Sequence, residues 1–281
     1  MSLTSFIEEA PYEEYRERFA EHFVIDRDAR GVLTARMHTN GGPAVWGMEL
    51  HRALGQLFKV VAADDDNEVL ILTGTGDYWI DGIDAESFRA VERDDETFRR
   101  ESYFKWYRDG MKLQENLIWD VDIPTIAAIN GPGHHQEFAL LCDMTICSEN
   151  TKFVEAHYAV GLAPGDALFL VLQEQLGYKR ANYAMYTAQS ITAEEALTWG
   201  LVNEVVAKDE LLGRAVALAN TVLDSQPDPV VRRITSRIVK RRWRRLLTDD
   251  FEMHFGHEMW ATMVHRQDHG AMDLKGIVGK G

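Results

Sequence analysis

Short apolar runs that end in glycine, asparagine or a charged turn recur along this chain, and segments with helical spacing separate them. One such run, residues 69–74, directly follows residues 48–63, in which apolar side chains repeat at helical spacing. Residues 125–130 repeat the arrangement after a second helical segment at 98–119. Wholly apolar runs of this kind are typical of parallel strands that are buried on both faces. The sequence therefore predicts an α/β fold in which helices connect parallel strands.

The other elements follow from the same patterns. A hairpin is predicted over residues 24–37, with its turn at 26–31 between two apolar stretches. Further short strands are expected at 144–147, 152–154 and 202–206, and helices at 136–141, 168–176, 179–186, 193–199, 208–223, 230–247 and 250–264.

Two regions of the chain are expected to differ in structure. Residues 1–225 are predicted to form the core, which begins with a short polar extension at 1–20, and residues 226–281 a helical C-terminal region. Pro227 and Pro229 separate the two, because proline interrupts regular structure. This hinge could let the last helices pack across a neighbouring subunit rather than fold back, so we expect self-association as a trimer or a dimer of trimers.

The formal net charge of −15 at pH 7 disfavours binding to nucleic acid and to anionic membranes. No stretch reaches the roughly 18 apolar residues that a membrane span needs, and residues 1–20 lack the charged-then-apolar pattern of a signal peptide. We therefore expect a cytoplasmic protein without a membrane partner. Cys142 and Cys147 lie in an apolar run and are predicted to be core residues, not a disulfide or a thiolate metal site.

One segment departs from this charge balance: residues 232–245 hold eight of the 30 lysines and arginines. Such a helix, which also carries Ile234, Ile238 and Trp243, could contact RNA or a phosphate-bearing ligand. Charge runs more often form a solvated helix face, and acidic residues follow at 249–252. We therefore favour a subunit interface over a nucleic-acid site for this segment.

Two loops concentrate the residues that can transfer protons. The first runs from an apolar strand through an Asn-Gly-Pro-Gly turn to His134 and His135, and the second carries His157 and Asp166 among turn glycines. The chain has neither a nucleophilic serine motif nor a CxxC pair. The two loops therefore favour acid–base chemistry on a small organic molecule. A metal site is disfavoured, because adjacent histidines on a turn point apart.

The chain also carries a set of motifs in a characteristic order. These are Leu72-Thr73-Gly74-Thr75-Gly76, Gly82-Ile83-Asp84, Ala127-Ala128-Ile129-Asn130-Gly131-Pro132, Cys142-Asp143, Gly161-Leu162-Ala163-Pro164-Gly165 and Ala196-Leu197-Thr198-Trp199-Gly200-Leu201-Val202-Asn203-Glu204-Val205. Together with the order of the elements, over about residues 20–250, they resemble the crotonase (enoyl-CoA hydratase/isomerase) superfamily.

This resemblance implies a crotonase-like spiral of ββα units, followed by a C-terminal helical region used in trimerisation. It implies trimers or dimers of trimers as the assembly. It also implies an oxyanion hole formed by two backbone N–H groups, which by position are those of Ile83 and His134.

Departures from the common hydratase pattern indicate one branch of the superfamily. His157 replaces a second catalytic glutamate, Glu137 keeps the place of the first, and Asp166 replaces a small residue. The basic residue that often meets CoA phosphates is absent from residues 40–45. Together with His135, these features resemble the β-diketone hydrolases related to 6-oxocamphor hydrolase, which cleave carbon–carbon bonds without CoA.

The same resemblance implies roles for individual residues. His157 would take a proton from water while Asp166 bonds its other ring nitrogen and fixes the tautomer. His135 would hold or protonate the second carbonyl oxygen. Trp46 and Glu258 fall where this branch has a pocket tryptophan and a functional glutamate. The pocket is expected to include Trp46, Glu137 and Phe88, with Trp79 and Trp260 as further walls.

The function predicted from these features is cofactor-free hydrolysis of a carbon–carbon bond in a 1,3-diketone, which we expect to be cyclic, by a retro-Claisen mechanism. An enoyl-CoA hydratase or isomerase acting on an acyl-CoA thioester is the alternative, and a non-catalytic trimeric scaffold or RNA binder is a third. Glu137 also has a structural interpretation, since a helix N-terminus favours a carboxylate.

Overall fold

The computed structural model describes residues 7–89 and 94–265. Residues 1–6 of the predicted extension and residues 266–281 of the predicted C-terminal region therefore lie outside the described part. The strands are β1 (Phe23–Arg27), β2 (Val32–Met37), β3 (Val45–Trp46), β4 (Val69–Thr73), β5 (Gly82–Ile83), β6 (Thr125–Ile129), β7 (Met144–Ser148), β8 (Lys152–Phe153), β9 (Ile191–Thr192) and β10 (Glu204–Val206).

Helices fill most of the remaining described chain. They are α1 (Tyr12–Arg18), α2 (Met48–Ala62), α3 (Ala85–Arg89), α4 (Asp95–Glu101), α5 (Arg108–Glu115), α6 (Glu137–Leu140), α7 (Leu168–Leu176), α8 (Tyr178–Thr187), α9 (Ala193–Trp199), α10 (Leu211–Ser225), α11 (Pro229–Val239), α12 (Arg241–Leu246) and α13 (Glu252–His265). Turns of π-helix follow α4, α5 and α12, at Ser102–Tyr107, Asn116–Asp120 and Leu247–Phe251.

A six-stranded sheet in the order β1-β2-β4-β6-β7-β10 forms the centre of the fold. β1 and β2 pair antiparallel, as the hairpin pattern predicts, and the other neighbours in this sheet are parallel. Every residue of β4 and of β6 is buried. The predicted α/β class is confirmed, because wholly apolar runs form strands that other elements cover on both faces.

Alternate residues of β4 show how the two faces are covered. Leu70 and Leu72 belong to the larger hydrophobic core, which also contains the buried face of α2. Val69 and Ile71 point the other way and pack with α10 through residues such as Ala215. Successive side chains of a strand lie on opposite faces, so one short apolar run contributes to both cores.

Two small ladders lie outside the central sheet, and the sequence patterns did not predict three of their four strands. β3 pairs parallel with β5, so that Trp46 lies opposite Ile83, and β8 pairs antiparallel with β9. Strands of two residues are too short to show a period, and their pairing depends on tertiary contacts. The β3–β5 ladder brings Trp46, a predicted pocket residue, beside Ile83, a predicted oxyanion donor.

Helix α1 lies in the stretch whose polarity predicted an extension. Its Tyr15 is buried, and the Tyr15 hydroxyl donates a hydrogen bond to Asp64 Oδ2 at 2.9 Å.

Cys142 and Cys147 are free and buried, as predicted. Within residues 7–89 and 94–265, every helix is too short or too polar to cross a lipid bilayer.

The helices that follow Pro229 fold back on their own chain, which corrects the expectation that the proline hinge would direct them away from it. Arg232 pairs with Glu68, and Arg233 pairs with Asp122 at 2.6 Å. The predicted single helix over 230–247 is interrupted at Lys240, where α11 ends before α12 begins. Ion pairs to the core hold these helices in place, and a sequence pattern cannot show with which residues a helix pairs.

The basic segment 232–245 is therefore largely engaged within the protein. Arg242 forms a bidentate pair with Glu174, with contacts of 2.7 and 2.9 Å. Arg244 Nε donates to the Ile118 carbonyl at 3.2 Å. The fully buried Lys240 donates to the carbonyls of Val121 and Ile123. Several of these cations stabilise the fold, so they do not present a continuous surface for RNA.

Candidate active site

The loop that carries His134 and His135 follows β6 and is held by the side chain of Asn130. Its Oδ1 accepts the N–H of Gly74 at 3.1 Å, and its Nδ2 donates to the carbonyls of Gly76 and Tyr78. The loops after β4 and β6 are thereby joined at the carboxyl end of the sheet, where parallel α/β folds place their ligand sites.

Glycines in this loop allow that close approach. A Cβ at Gly131 would lie 1.9 Å from the carbonyl oxygen of Asp77, and a Cβ at Gly133 would lie 2.6 Å from the backbone nitrogen of Ile80. Side chains at either position would push the two loops apart. The two glycines of the Asn-Gly-Pro-Gly turn are therefore required by packing.

His135 follows this turn in an uncommon conformation, with φ of 54°. Its ring nitrogen Nδ1 lies 2.9 Å from Glu137 Oε1 and 3.3 Å from Asp166 Oδ2. The Trp46 indole stacks on its ring, with centroids 4.0 Å apart. A non-glycine residue with positive φ is costly, and such residues cluster at functional sites. Two carboxylates and an indole face thus fix this imidazole.

His157 reaches the same region from the segment after β8. Its Nδ1 and its backbone N–H both contact Glu155 Oε1, at 2.7 and 2.9 Å. On the other side of the ring, Nε2 lies 3.7 Å from Asp166 Oδ2 and 3.9 Å from Glu258 Oε1. Three carboxylates from separate parts of the chain therefore surround this imidazole.

Asp166 lies between the two histidines, just before α7. Its Oδ1 accepts the N–H of Leu168 at 3.1 Å, and its carbonyl accepts Nε2 of Gln114 at 2.9 Å. The next residue, Ala167, has φ of 83°. These constraints leave Oδ2, the oxygen nearest both imidazoles, directed into the cluster.

Glu258 is supplied by α13, more than ninety residues further along the chain. The helix approaches closely at Gly165, where a Cβ would lie 2.4 Å from the carbonyl oxygen of His254 and 2.6 Å from Glu258 Cβ. The absent side chain of Gly165 therefore lets the C-terminal helix bring a carboxylate to His157.

We expect Gly165→Ala to displace α13, because its Cβ would meet backbone and not only a movable side chain. Overpacking of this kind costs about 1–3 kcal/mol of unfolding free energy. Gly213→Ala is the matched control: this glycine lies in α10 with open space around its Cβ, so alanine should stabilise by about 0.5–1 kcal/mol. Thermal denaturation of both variants measures the difference, and equal melting temperatures would contradict the close approach of α13.

The protonation of the two imidazoles follows from their surroundings. Burial lowers the pKa of His135, but Glu137 and Asp166 outweigh it and raise the pKa to about 9. Burial likewise opposes protonation of His157, yet Glu155, Asp166 and Glu258 hold its pKa well above 6.5. Both imidazoles are therefore mainly cationic at neutral pH. Stacking on the electron-rich indole face of Trp46 also favours a cationic His135.

The carboxylates divide into ionised and protonated groups. Burial raises the pKa of Asp166, but the His157 and His135 cations outweigh it and keep the pKa below its ordinary value. Burial raises the pKa of Glu137 to about 7 and that of Glu258 to about 8. Asp166 therefore stays ionised at neutral pH, whereas Glu258 is mainly protonated there. The site combines groups that can accept a proton with groups that can donate one.

The predicted bond between His157 and Asp166 needs correction. A separation of 3.7 Å between Nε2 and Oδ2 exceeds a hydrogen bond, and Asp166 lies nearer to His135. Glu155, which the sequence patterns did not single out, holds the other nitrogen of His157. Its position two residues before His157, directly after a strand, was the available signal.

The predicted oxyanion donors occupy different environments. The Ile83 segment runs beside Trp46 in the β3–β5 ladder, and the Asp84 N–H donates to the Trp46 carbonyl at 2.6 Å. The His134 N–H donates to the Ile80 carbonyl at 3.0 Å. This amide is therefore engaged within the protein, and the prediction that it is an oxyanion donor is wrong. The loop packs so tightly on residues 79–80 that the two segments exchange backbone hydrogen bonds. Ile83 remains the predicted donor.

The aromatic residues predicted to line the pocket lie in different parts of the structure. Trp46 contacts His135, while Trp79 is buried beneath the loop, where its Nε1 donates to the His135 carbonyl at 3.0 Å. Phe88 packs in a neighbouring cluster with Trp106, with ring centroids 6.0 Å apart. Trp260 is 66 % exposed and is not a wall of this chain's site, because it lies on the solvent side of α13.

One further neighbour was not predicted. His51 on α2 is buried against the edge of Trp46, with ring centroids 5.4 Å apart. Burial first and the charge of His135 second lower its pKa to about 3. His51 is therefore neutral, unlike the two histidines of the cluster.

Two sets of side chains have the spacing of metal ligands. His135, Glu137 and Asp166 form one and Glu155, His157 and Asp166 the other, with ligand atoms within 4.8 Å of one another. In each set a histidine Nδ1 lies at hydrogen-bond distance from a glutamate oxygen, at 2.9 Å for His135 and 2.7 Å for His157, so each imidazole is paired with an acid. We therefore interpret the donor set as a proton-transfer cluster.

A cavity of about 530 Å³ lies elsewhere, between the sheet and the helices α10 and α11. Its lining includes Met144, Val222, Arg232 and Trp243, and it contains no residue of the His135–His157 cluster. The converging ionisable groups, which this cavity lacks, identify the cluster as the candidate active site.

Comparisons with known proteins show the family and the fold of the chain. The family model described as enoyl-CoA hydratase/isomerase matches residues 46–271. A β-diketone hydrolase from the cyanobacterium Anabaena sp. PCC 7120, solved with (S)-3-oxocyclohexyl acetic acid, is 32 % identical; the match covers 90 % of this chain and 98 % of that one, with a TM-score of 0.82. An enoyl-CoA hydratase/isomerase from Mycobacterium paratuberculosis shares the fold at 21 % identity, 93 % and 98 % coverage and a TM-score of 0.77.

Among curated proteins, the carnitinyl-CoA dehydratase of Salmonella paratyphi A is 33 % identical over 178 residues. That match covers 62 % of this chain, and the chain spans 65 % of the length of this relative. Both the family match and the Anabaena structure extend over most of the described chain. The chain therefore belongs to the enoyl-CoA hydratase/isomerase family, the crotonase superfamily, and has its fold.

Proposed function

We propose that this protein hydrolyses a carbon–carbon bond of a cyclic 1,3-diketone without a cofactor. The observation that carries the proposal is the cluster in which the partly buried His135 and His157 lie on either side of Asp166. Hydrolysis of a diketone needs a base for water and an acid for the departing enolate, and this cluster contains candidates for both. The likeness to the Anabaena β-diketone hydrolase supports the same substrate class.

His157 is the proposed base. In its neutral form Nε2 takes a proton from water, and the hydroxide adds to one carbonyl carbon of the diketone. The bond from that carbon to the central carbon then breaks, and the electron pair remains on the central carbon as an enolate. The oxygen that becomes negative during addition is stabilised by a backbone donor, for which the Ile83 N–H is the candidate.

His135 is the proposed acid, because its pKa near 9 keeps it protonated at neutral pH. It donates to the oxygen of the second carbonyl and stabilises the enolate as it forms. The enolate carbon finally takes up a proton, which leaves a carboxylic acid and a ketone. Glu258 also carries a proton near neutral pH and lies 3.9 Å from His157, so it can supply or hold this proton.

A substrate panel tests the proposal. Purified protein should hydrolyse cyclic 1,3-diketones, detected as loss of diketone absorbance and as appearance of one carboxylic acid per turnover. Enoyl-CoA esters, assayed for hydration in parallel, should give no turnover. Turnover of enoyl-CoA esters, together with inert diketones, would overturn the proposal.

A second candidate is supported by the curated relatives, which are carnitinyl-CoA dehydratases, and by Glu137 at the place of a hydratase glutamate. In this structure Glu137 Oε1 contacts His135 Nδ1 at 2.9 Å and its side chain is fully buried. A glutamate held in this way orients a histidine and is less available to a thioester substrate. We therefore place CoA-thioester chemistry second.

The proposed roles predict a pH profile with an alkaline optimum. Below the pKa of His157, which is well above 6.5, the base is protonated and kcat/KM should fall with decreasing pH. Above about pH 9, His135 loses the proton that it donates, so kcat/KM should fall again. Initial rates across the pH range, with circular dichroism as a control for folding, measure both limbs. An acidic optimum below pH 6 would contradict these roles.

We also propose self-association through α11. Val230, Ile234 and Ile238 lie one turn apart on this helix and are 60 %, 54 % and 66 % exposed. A regular apolar stripe on a surface helix is typical of an interface. Light scattering should show an oligomer at micromolar concentration, and Ile234→Asp combined with Ile238→Asp should lower the mass. A stable monomer of the unmodified protein would contradict the proposal.

A further inference from the structure

The two imidazoles of the cluster are held in the same way. His135 contacts a glutamate two residues after it and His157 a glutamate two residues before it, with Nδ1 to Oε1 distances of 2.9 and 2.7 Å. Glu137 and Glu155 are 0 % and 1 % exposed. The chain thus contains two buried His–Glu pairs in mirrored order, with Asp166 between them.

We infer that Glu155 is the positioning residue of His157 and directs its Nε2 toward the reacting atoms. This inference rests on the proposed function for the role of His157 as base, and on geometry alone for the pairing. Glu155 Oε1 accepts both the backbone N–H and the ring Nδ1–H of His157, which fixes the backbone and the ring together. A carboxylate that accepts Nδ1–H leaves Nε2 as the basic nitrogen of the neutral ring.

The position of Asp166 supports this division of roles. Its Oδ2 lies on the Nε2 side of His157, at 3.7 Å, and closer to His135, at 3.3 Å. An acid on the Nε2 side cannot set the tautomer that makes Nε2 the base. Asp166 therefore acts as the shared anion between two cations, while Glu155 holds the ring of His157.

The burial of the Glu155 side chain is unfavourable for folding, and a purely structural role does not explain why an acid lies there. Its second oxygen, Oε2, is buried and has no hydrogen-bond partner among the described residues. A buried carboxylate oxygen without a donor is unfavourable, because it has lost its hydrogen bonds to water. A positioning role accounts for an acid at residue 155. Such an acid stabilises the imidazolium that forms when His157 takes a proton from water.

Other ionisable groups also lie near His157, and the test has to separate them from Glu155. These are Asp166 before α7, Glu258 on α13, and the imidazoles of His134 and His135 in the loop after β6. Glu155 is distinguished by contacting Nδ1, whereas the two other acids lie near Nε2. A method that reads the two ring nitrogens separately can therefore assign the effect.

Nitrogen-15 NMR of the labelled full-length protein reads each ring nitrogen without any substrate. Above its titration midpoint, His157 should carry its proton on Nδ1. In Glu155→Gln the midpoint should fall by about one pH unit or more, while Glu155→Asp should restore part of this shift. The matched control is Glu137→Gln, the same substitution in the other pair, which should lower the midpoint of His135 more than that of His157.

Steady-state kinetics add a second readout. Glu155→Gln should lower kcat by about 10²–10⁴-fold, as expected for the orienting acid of a catalytic histidine, with KM nearly unchanged. The acid limb of its pH profile should move to lower pH together with the NMR midpoint. A structural role alone would lower the amount of folded protein and leave the midpoint of the remaining enzyme unchanged.

The outcomes separate this inference from the proposed function. If Glu155→Gln leaves the midpoint and the tautomer of His157 unchanged while Asp166→Asn alters both, Asp166 is the orienting acid and the inference is wrong. If the unmodified protein cleaves no diketone but Glu155→Gln shifts His157 as expected, the pairing holds and only the proposed function fails.

Discussion

Replacing His157 by alanine should lower kcat for diketone hydrolysis by about 10²–10⁴-fold, the usual contribution of a general base, and should change KM little. The imidazole lies among Glu155, Asp166 and Glu258, so its removal leaves no other base with the same position. Asp166→Asn should have an effect of similar size, because it removes the anion shared by both cationic histidines.

His257→Ala is the matched control for this experiment. His257 is exposed on α13, one residue before Glu258, and its loss should leave kcat within a factor of about two. Near-normal diketone hydrolysis by His157→Ala would end the proposed mechanism. If Glu137→Gln instead abolished turnover of an enoyl-CoA ester, the hydratase alternative would be favoured.

Replacing Lys240 by methionine should be among the most destabilising changes in the chain outside the active site. The Lys240 side chain is fully buried, and its Nζ donates to the carbonyls of Val121 and Ile123 at 2.7 and 3.1 Å. It also lies 3.6 Å from Asp143 Oδ2. Methionine has a similar length but no donor, so it would leave buried acceptors and a carboxylate without their cation.

Removing one partner of a buried ion pair costs about 3–5 kcal/mol of unfolding free energy. For a protein of this size, each kcal/mol lowers the melting temperature by about 2–4 °C. Arg241→Met, at the next residue, is the control: Arg241 is exposed, and its loss should change stability by less than about 0.5 kcal/mol. Calorimetry on both variants decides the matter, and similar melting temperatures would show that Lys240 does not hold the C-terminal helices.

The contacts of Lys240 and its basic neighbours show where a sequence pattern gives a wrong prediction of exposure. Residues 232–245 are strongly basic, and basic runs usually lie on a solvated surface. In the fold, Arg232 and Lys240 are buried and pair with Glu68 and with core carbonyls. Acids and carbonyls more than a hundred residues away in sequence decide whether such a cation is free, and no local window contains them.

The central sheet shows the opposite case. Residues 69–72 and 126–129 are apolar throughout, and a run of that kind in a folded domain is covered on both faces. The sequence alone therefore predicted the positions of β4 and β6, the helix between strands at α2 and the α/β class, and the family motifs predicted the spiral arrangement. Burial preferences are local properties of the chain, so they can be read without knowing the contacts.

The candidate active site falls between these cases. The residue types that carry proton chemistry, and the loops in which His135, His157 and Asp166 occur, were identified from the sequence. Only the tertiary structure assigned each carboxylate to its imidazole: Asp166 lies nearer to His135, and Glu155 holds His157. Differences of about 1 Å or less decide these pairings and the pKa values that follow from them. Such distances depend on how separate loops and α13 pack together, which the sequence of any one loop does not determine.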